Sequence, residues 1–175
     1  MRAKDITLIA LLLAVTGILS LISIPLPFSP VPVTGQTLGV MLTGMLLSPR
    51  KAGLTMLAYL LLGAAGAPVF AGGTGGISII AGPTGGYLLG FIPAAIVIAW
   101  LRKGELPRQV MAITAGLLCT YVPGTIWLSS VTGLGFQAAL ALGVLPYLPG
   151  DIFKAVISIL AAAKLKPAIG GEGSH

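Results

Sequence analysis

Asp151 and Lys154, inside the stretch "PYLPGDIFKAV" (Pro146 to Val156), are the residues whose types and spacing raise a chemical question. Residues three apart share one face of a helix, so a carboxylate and an ammonium stand side by side. Their surroundings make this unusual: the chain is 56% hydrophobic and 8% charged, with a mean hydropathy of +1.04. A charge at mid-membrane costs about 2.5–3.5 kcal/mol on insertion scales, and such residues face a cavity or a partner. One reading is a self-satisfied pair at the interface, with Lys154 extending its ammonium outward. The other is a functional role, since a charge kept within the membrane by default marks a cavity or a partner.

Other chemistries lack their residues. The chain has a single histidine, His175 at its last position, a single cysteine, Cys119, and no asparagine. A zinc cluster, a Ser-His-Asp triad or a carboxylate pair cannot be assembled from that set. "GGTGGIS" lacks the lysine of a phosphate-binding loop, and "GLGFQA" has no βαβ unit around it. The sequence therefore reads as no enzyme, with no metal and no cofactor. The +6 charge is scattered through loops rather than gathered into a stripe, which argues against a nucleic-acid partner.

The elements that must carry the pair read as an all-α membrane protein of one domain, residues 1–175. Six apolar stretches, about 6–24, 34–48, 52–67, 82–101, 110–128 and 149–165, read as spanning helices. The second would be only about 22 Å long at the helical rise, which predicts a cavity at one end. Arg2, Lys4, Arg50, Lys51, Arg102, Lys103, Arg108, Lys164 and Lys166 all fall on one side, so both termini are expected in the cytoplasm. No charged leader with a small-residue cleavage site opens the chain, and the "GEGSH" tail reads as an appendage. Lys154 is the one base expected at the outer end. Of the outer loops, Pro25, Pro27, Pro30 and Pro32 make the first stiff and extended. The second carries eight glycines between Gly66 and Gly86, interspersed with apolar residues that suggest it buries something. The third is expected to hold a short helix over 136–145. Gly82, Gly86, Gly90 and Ala94 form a small-residue stripe suited to close helix packing, and Ala10 and Ala14 form another.

At "VPVTGQTLGVMLTG", "GAPVFAGGTGG", "GPTGGYLLGF" and "PYLPGD-x-x-K" the sequence resembles the BioY family, biotin-specific S components of energy-coupling factor (ECF) transporters. The resemblance runs from Ile6 to Lys166. It implies a six-helix bundle in the bacterial cytoplasmic membrane, with biotin held near the outer surface under the first two outer loops. It carries a binding role onto Asp151 and Lys154, and places Gln36, Thr37, Gly73, Gly76 and Tyr87 at or near the pocket. It also implies a transmembrane coupling subunit and two ATPases as partners, with Ala10 and Ala14 as the contact surface and ATP used only by those partners. One departure stands out: the family's Gly-rich loop is associated with an asparagine, and this chain has none, leaving Gln36 or backbone near Gly73 to substitute. Biotin joins an apolar thiophane body, a ureido head and an anionic tail. On this reading Asp151 accepts from the ureido N–H groups and Lys154 meets the carboxylate. An S component for another vitamin, or a small membrane scaffold, are the alternatives.

Overall fold

The structure, a computed structural model, describes residues 2–169, so the tail and His175 lie outside the described residues. The chain runs α1 (Ala3–Ser20), β1 (Ser23–Leu26), β2 (Ser29–Thr34), α2 (Gln36–Leu46) and α3 (Pro49–Ala64). It continues through α4 (Ile77–Ala81), α5 (Gly85–Leu101), α6 (Leu106–Thr132), α7 (Phe136–Gly143) and α8 (Leu148–Ile169), with short 3₁₀ turns at Ala71–Gly73 and Leu145–Tyr147. Three helical segments, Ala3–Ser20, Leu106–Thr132 and Phe136–Pro167, are long and apolar enough to cross a membrane; α2 and α5 are apolar but shorter.

Local chemistry sets the boundaries. α1 ends at Ser20 rather than near Ile24, because Pro25 and Pro27 cannot continue a helix. The proline-rich segment instead folds back on itself as an antiparallel hairpin, pairing Ser23 with Thr34, Ile24 with Val33 and Leu26 with Ser29. A two-stranded ribbon tolerates prolines because each strand has an unpaired edge. α3 starts earlier than its apolar run, with Pro49 in the first turn, where no N–H is needed. α6 extends beyond its apolar run at both ends and stops at Gly133, which takes the left-handed conformation (φ 72°) of a helix C-terminus.

α5 and α6 form the most extensively packed pair. A Cβ on Gly86 would lie 2.3 Å from Trp127 Cβ, and one on Gly90 would lie 2.7 Å from the Cys119 carbonyl oxygen. The Gly86, Gly90, Ala94 stripe thus lets α6 lie against the α5 backbone. Gly82 precedes the helix and accepts a hydrogen bond from Trp127 Nε1 (2.9 Å). The core between α1, α2, α3 and α5 is filled by Met41, Met45, Met56, Tyr59, Phe91 and Ile98.

The two ends of α2 face different surroundings. At its C-terminal end Arg102, just past α5 and only 7% exposed, donates from Nη2 to the Leu47 carbonyl (3.1 Å). Nearby on the chain, Lys51 Nζ pairs with Asp5 Oδ1 at 2.7 Å, joining α3 to α1. At its N-terminal end Thr37 meets α8. The basic residues of the helix connections therefore gather at one end, opposite the residues described next.

Candidate functional site

α2 and α8 both begin at the same end of the bundle, and their first turns carry the polar residues of a cavity. Pro149, the second residue of α8, needs no donor there, and Asp151 falls in the same first turn, where a helix N-terminus favours a carboxylate. Asp151 is 1% exposed as a residue and accepts three hydrogen bonds. Thr37 Oγ1 donates to its Oδ1 at 2.8 Å, Lys154 Nζ donates to the same oxygen at 2.8 Å, and the Tyr121 hydroxyl donates to Oδ2. Lys154 Nζ also donates to Thr37 Oγ1 at 2.9 Å, so Thr37, Asp151 and Lys154 close a ring. The Lys154 side chain keeps 14% of its surface accessible.

This ring forms one wall of a cavity of about 580 Å³, its open mouth included. Phe70, Ile79, Tyr87, Leu88, Phe91 and Val31 supply most of the apolar wall. Phe70 is fully buried and meets Tyr59 edge to face, with ring centroids 5.7 Å apart. Tyr87 stands in a slot cut by two small residues: a Cβ on Gly124 would lie 2.3 Å from its ring, and one on Gly143 would lie 2.1 Å from its hydroxyl oxygen. That hydroxyl is buried beside Thr125 without a hydrogen bond of good geometry.

Two polar clusters hold the caps over the cavity. The Tyr147 hydroxyl donates to the Val31 carbonyl at 2.5 Å and lies 3.0 Å from Ser29 Oγ, which itself donates to the Leu142 carbonyl at 2.9 Å. The β1–β2 hairpin is thereby fastened to the segment between α7 and α8. On the other side, Gln36 Nε2 donates to the Tyr59 hydroxyl at 2.7 Å, and Tyr59 donates to the Val69 carbonyl at 2.5 Å. Gln36 Oε1 accepts from Thr34 Oγ1 at 3.1 Å. Gln36 therefore ties the base of the hairpin, through α3, to the Gly-rich loop that carries Phe70.

Of the residues singled out in the sequence, Asp151, Lys154, Tyr87, Gln36 and Thr37 line the cavity. Gly73 and Gly76 are absent from its lining; with φ of 74° and 106° they shape the turns before α4. Tyr121 and Tyr147, which sequence reasoning left aside, both line it. In the apolar spans a tyrosine looks like any core aromatic, and no spacing signal reports that its hydroxyl meets a residue 30 positions away. Ala10 and Ala14 are exposed on α1, on the side opposite buried Leu8, Leu12 and Thr16. Among the described residues no cluster of three His, Cys, Asp or Glu side chains exists to hold a metal.

The family model for the BioY family matches residues 1–171. The chain belongs to the BioY family. It is 42% identical over 166 residues to a probable biotin transporter BioY of Pyrococcus horikoshii, covering 95% of this chain and 98% of that one. It is 39% identical to the biotin transporter BioY of Rhizobium etli, covering 91% of each chain. Among solved structures, the crystal structure of an S component for biotin from an ECF-type ABC transporter superposes with a TM-score of 0.88 at 28% identity, over 95% of both chains. The fold of that S component therefore extends over nearly the whole of this chain.

Proposed function

We propose that this chain captures biotin in the cavity between α2, α5, α6 and α8 and carries it across a membrane as the S component of an ECF-type transporter. The observation that carries the reading is the wall composition. An apolar enclosure of Phe70, Tyr87, Leu88 and Phe91 ends at a single ammonium held by an acid. That matches a ligand with an apolar ring body and one anionic tail. Biotin transporter relatives at 39–42% identity and the biotin S-component structure support the same ligand.

In this reading α1, α2, α3, α5, α6 and α8 are six spanning helices, the capped cavity faces outward, and both termini lie in the cytoplasm, where the basic end of the bundle belongs. The chain supplies capture. Energy comes from partner subunits, a transmembrane coupling protein and two ATPases, with exposed Ala10 and Ala14 giving the coupling protein close access to the α1 backbone. Lys154 meets the carboxylate. Thr37 and Asp151 belong to the same polar wall, Tyr87 stacks along the ring body, and Gln36 holds the caps.

The decisive experiment is equilibrium binding and thermal unfolding of the purified full-length protein in lipid nanodiscs, with biotin and a panel of other water-soluble vitamins. Tight binding of biotin raises the unfolding midpoint by mass action. A larger shift with another vitamin would reassign the substrate, and no shift with any would sink the capture role.

A further inference from the structure

The family resemblance gives Asp151 and Lys154 separate ends of the ligand, but the geometry fuses them. A carboxylate offers about four lone-pair sites. Oδ1 of Asp151 already accepts from Thr37 and Lys154, both at 2.8 Å, and Oδ2 accepts from Tyr121. Three of those sites are thus filled and the residue is 1% exposed, which leaves little of the acid for a ligand N–H. Lys154 is in the opposite situation. Its ammonium has three donors, of which Asp151 and Thr37 take two, and its side chain remains accessible from the cavity. Thr37 donates to the acid and accepts from the base, which fixes the rotation of the ammonium as well as its position.

From this arrangement we propose that Asp151 is a positioning residue, held by Tyr121 and Thr37 so that it aims the third N–H of Lys154 into the cavity, and that the ammonium alone meets the ligand's carboxylate. The proposal rests on the biotin reading and assigns Tyr121 a place in anion recognition. Charge balance is consistent with it. Asp151 and a bound carboxylate share one cation, and the N-terminal ends of α2 and α8, which carry Thr37 and Asp151, contribute the remaining positive potential. The donors from Tyr121 and Thr37 spread the charge of Asp151, leaving Lys154 attractive to a second anion.

The test compares biotin with its neutral amide, biotinamide, in equilibrium binding to the full-length protein in nanodiscs. Tyr121→Phe keeps the ring and removes only the donor to Asp151. It should weaken biotin about tenfold and biotinamide by less than about twofold, the scale of one lost charge-assisted hydrogen bond acting on the anion alone. Because Tyr121 acts through Lys154, Tyr121→Phe combined with Lys154→Met should be no weaker for biotin than Lys154→Met alone. Thr37→Ser, which retains the hydroxyl, should preserve the preference for biotin that Thr37→Val loses. Equal weakening of both ligands by Tyr121→Phe, or multiplying losses in the double variant, would overturn the proposal and place the acid in direct contact with the ligand. Should the unaltered protein bind neither ligand, the biotin reading itself fails. Should it bind both while Tyr121→Phe loses no preference, only the positioning role fails. Thermal unfolding of Tyr121→Phe without ligand, at a midpoint close to that of the unaltered protein, is the check that the variant is folded.

Discussion

Two acid–base pairs mark the two ends of α2, and they are built for different purposes. Asp5 and Lys51 meet at 2.7 Å across α1 and α3, and Asp5 also accepts from the Arg2 backbone N–H at 3.1 Å, closing the first turn of α1. Asp151 and Lys154 meet at 2.8 Å within α8, with Thr37 and Tyr121 drawn in from α2 and α6. The first pair joins elements that pack directly on each other. The second stands beside empty volume, and its acid is supplied with more donors than a packing role requires. The two lengths are nearly the same, so bond geometry does not separate them. What each charge has left to offer does.

The largest expected effect follows from removing the cation of each pair. Lys154→Met should lower biotin affinity by about 2–5 kcal/mol, the usual cost of breaking a buried charge pairing. Lys51→Met should leave affinity within about twofold and lower stability instead, by up to about 3–5 kcal/mol, because the side chains of this pair are only 18% and 13% exposed. Titration calorimetry and thermal unfolding of both variants check this, and an affinity loss of similar size in both would erase the distinction between the two ends.

A second contrast tests packing. Gly124→Ala would drive a methyl into the Tyr87 ring, whereas a Cβ on Gly53 would meet only the far end of the Ile96 side chain at 2.9 Å. Overpacking typically costs about 1–3 kcal/mol where the neighbour cannot move. Gly124→Ala should therefore lower both the unfolding midpoint and biotin affinity, while Gly53→Ala changes neither by more than about 0.5 kcal/mol. Equal effects would show that the cavity wall is no stiffer than the opposite end.

The smallest effect concerns the cap. Tyr147→Phe deletes the bonds to Val31 and Ser29 that fasten the hairpin. One net hydrogen bond is worth about 0.5–1.5 kcal/mol, so biotin dissociation should quicken by about two- to twelvefold, with association little changed. Stopped-flow exchange against labelled biotin measures it. A slowed association with unchanged dissociation would mean that the hydroxyl shapes the entrance rather than holding the lid.

The helices were legible because apolar runs interrupted by Pro, Gly and paired bases leave few alternatives; the short helix α7 was marked by Phe136 to Leu145 in the same way. The hairpin was not legible. Four prolines argue for extended chain, and nothing in "IPLPFSPVPVT" reports that its halves pair, since the register depends on where α1 and α2 place its ends. At the site, Asp151 and Lys154 stood out because charge is expensive in apolar surroundings. Tyr121 did not, because a phenol is inexpensive there and acquires meaning only from the acid brought to it by folding. Gly73 and Gly76 were placed at or near the pocket by the family resemblance; they are not among the residues that line the cavity, and their backbone angles shape the turns before α4.

The spacing of Asp151 and Lys154 within a single helix also bears on how the protein is made. Their bond needs only one turn of α8, so it closes as the segment becomes helical, before any other helix is in place. The two charges can enter the bilayer as a neutral unit, avoiding much of the cost that each would incur alone. Asp5 and Lys51 have no such option, since they sit on different helices and meet only after α1 and α3 have packed. Asp151 and Lys154 can thus begin as each other's counter-ion during biogenesis, with Thr37 and Tyr121 joining them as the bundle closes.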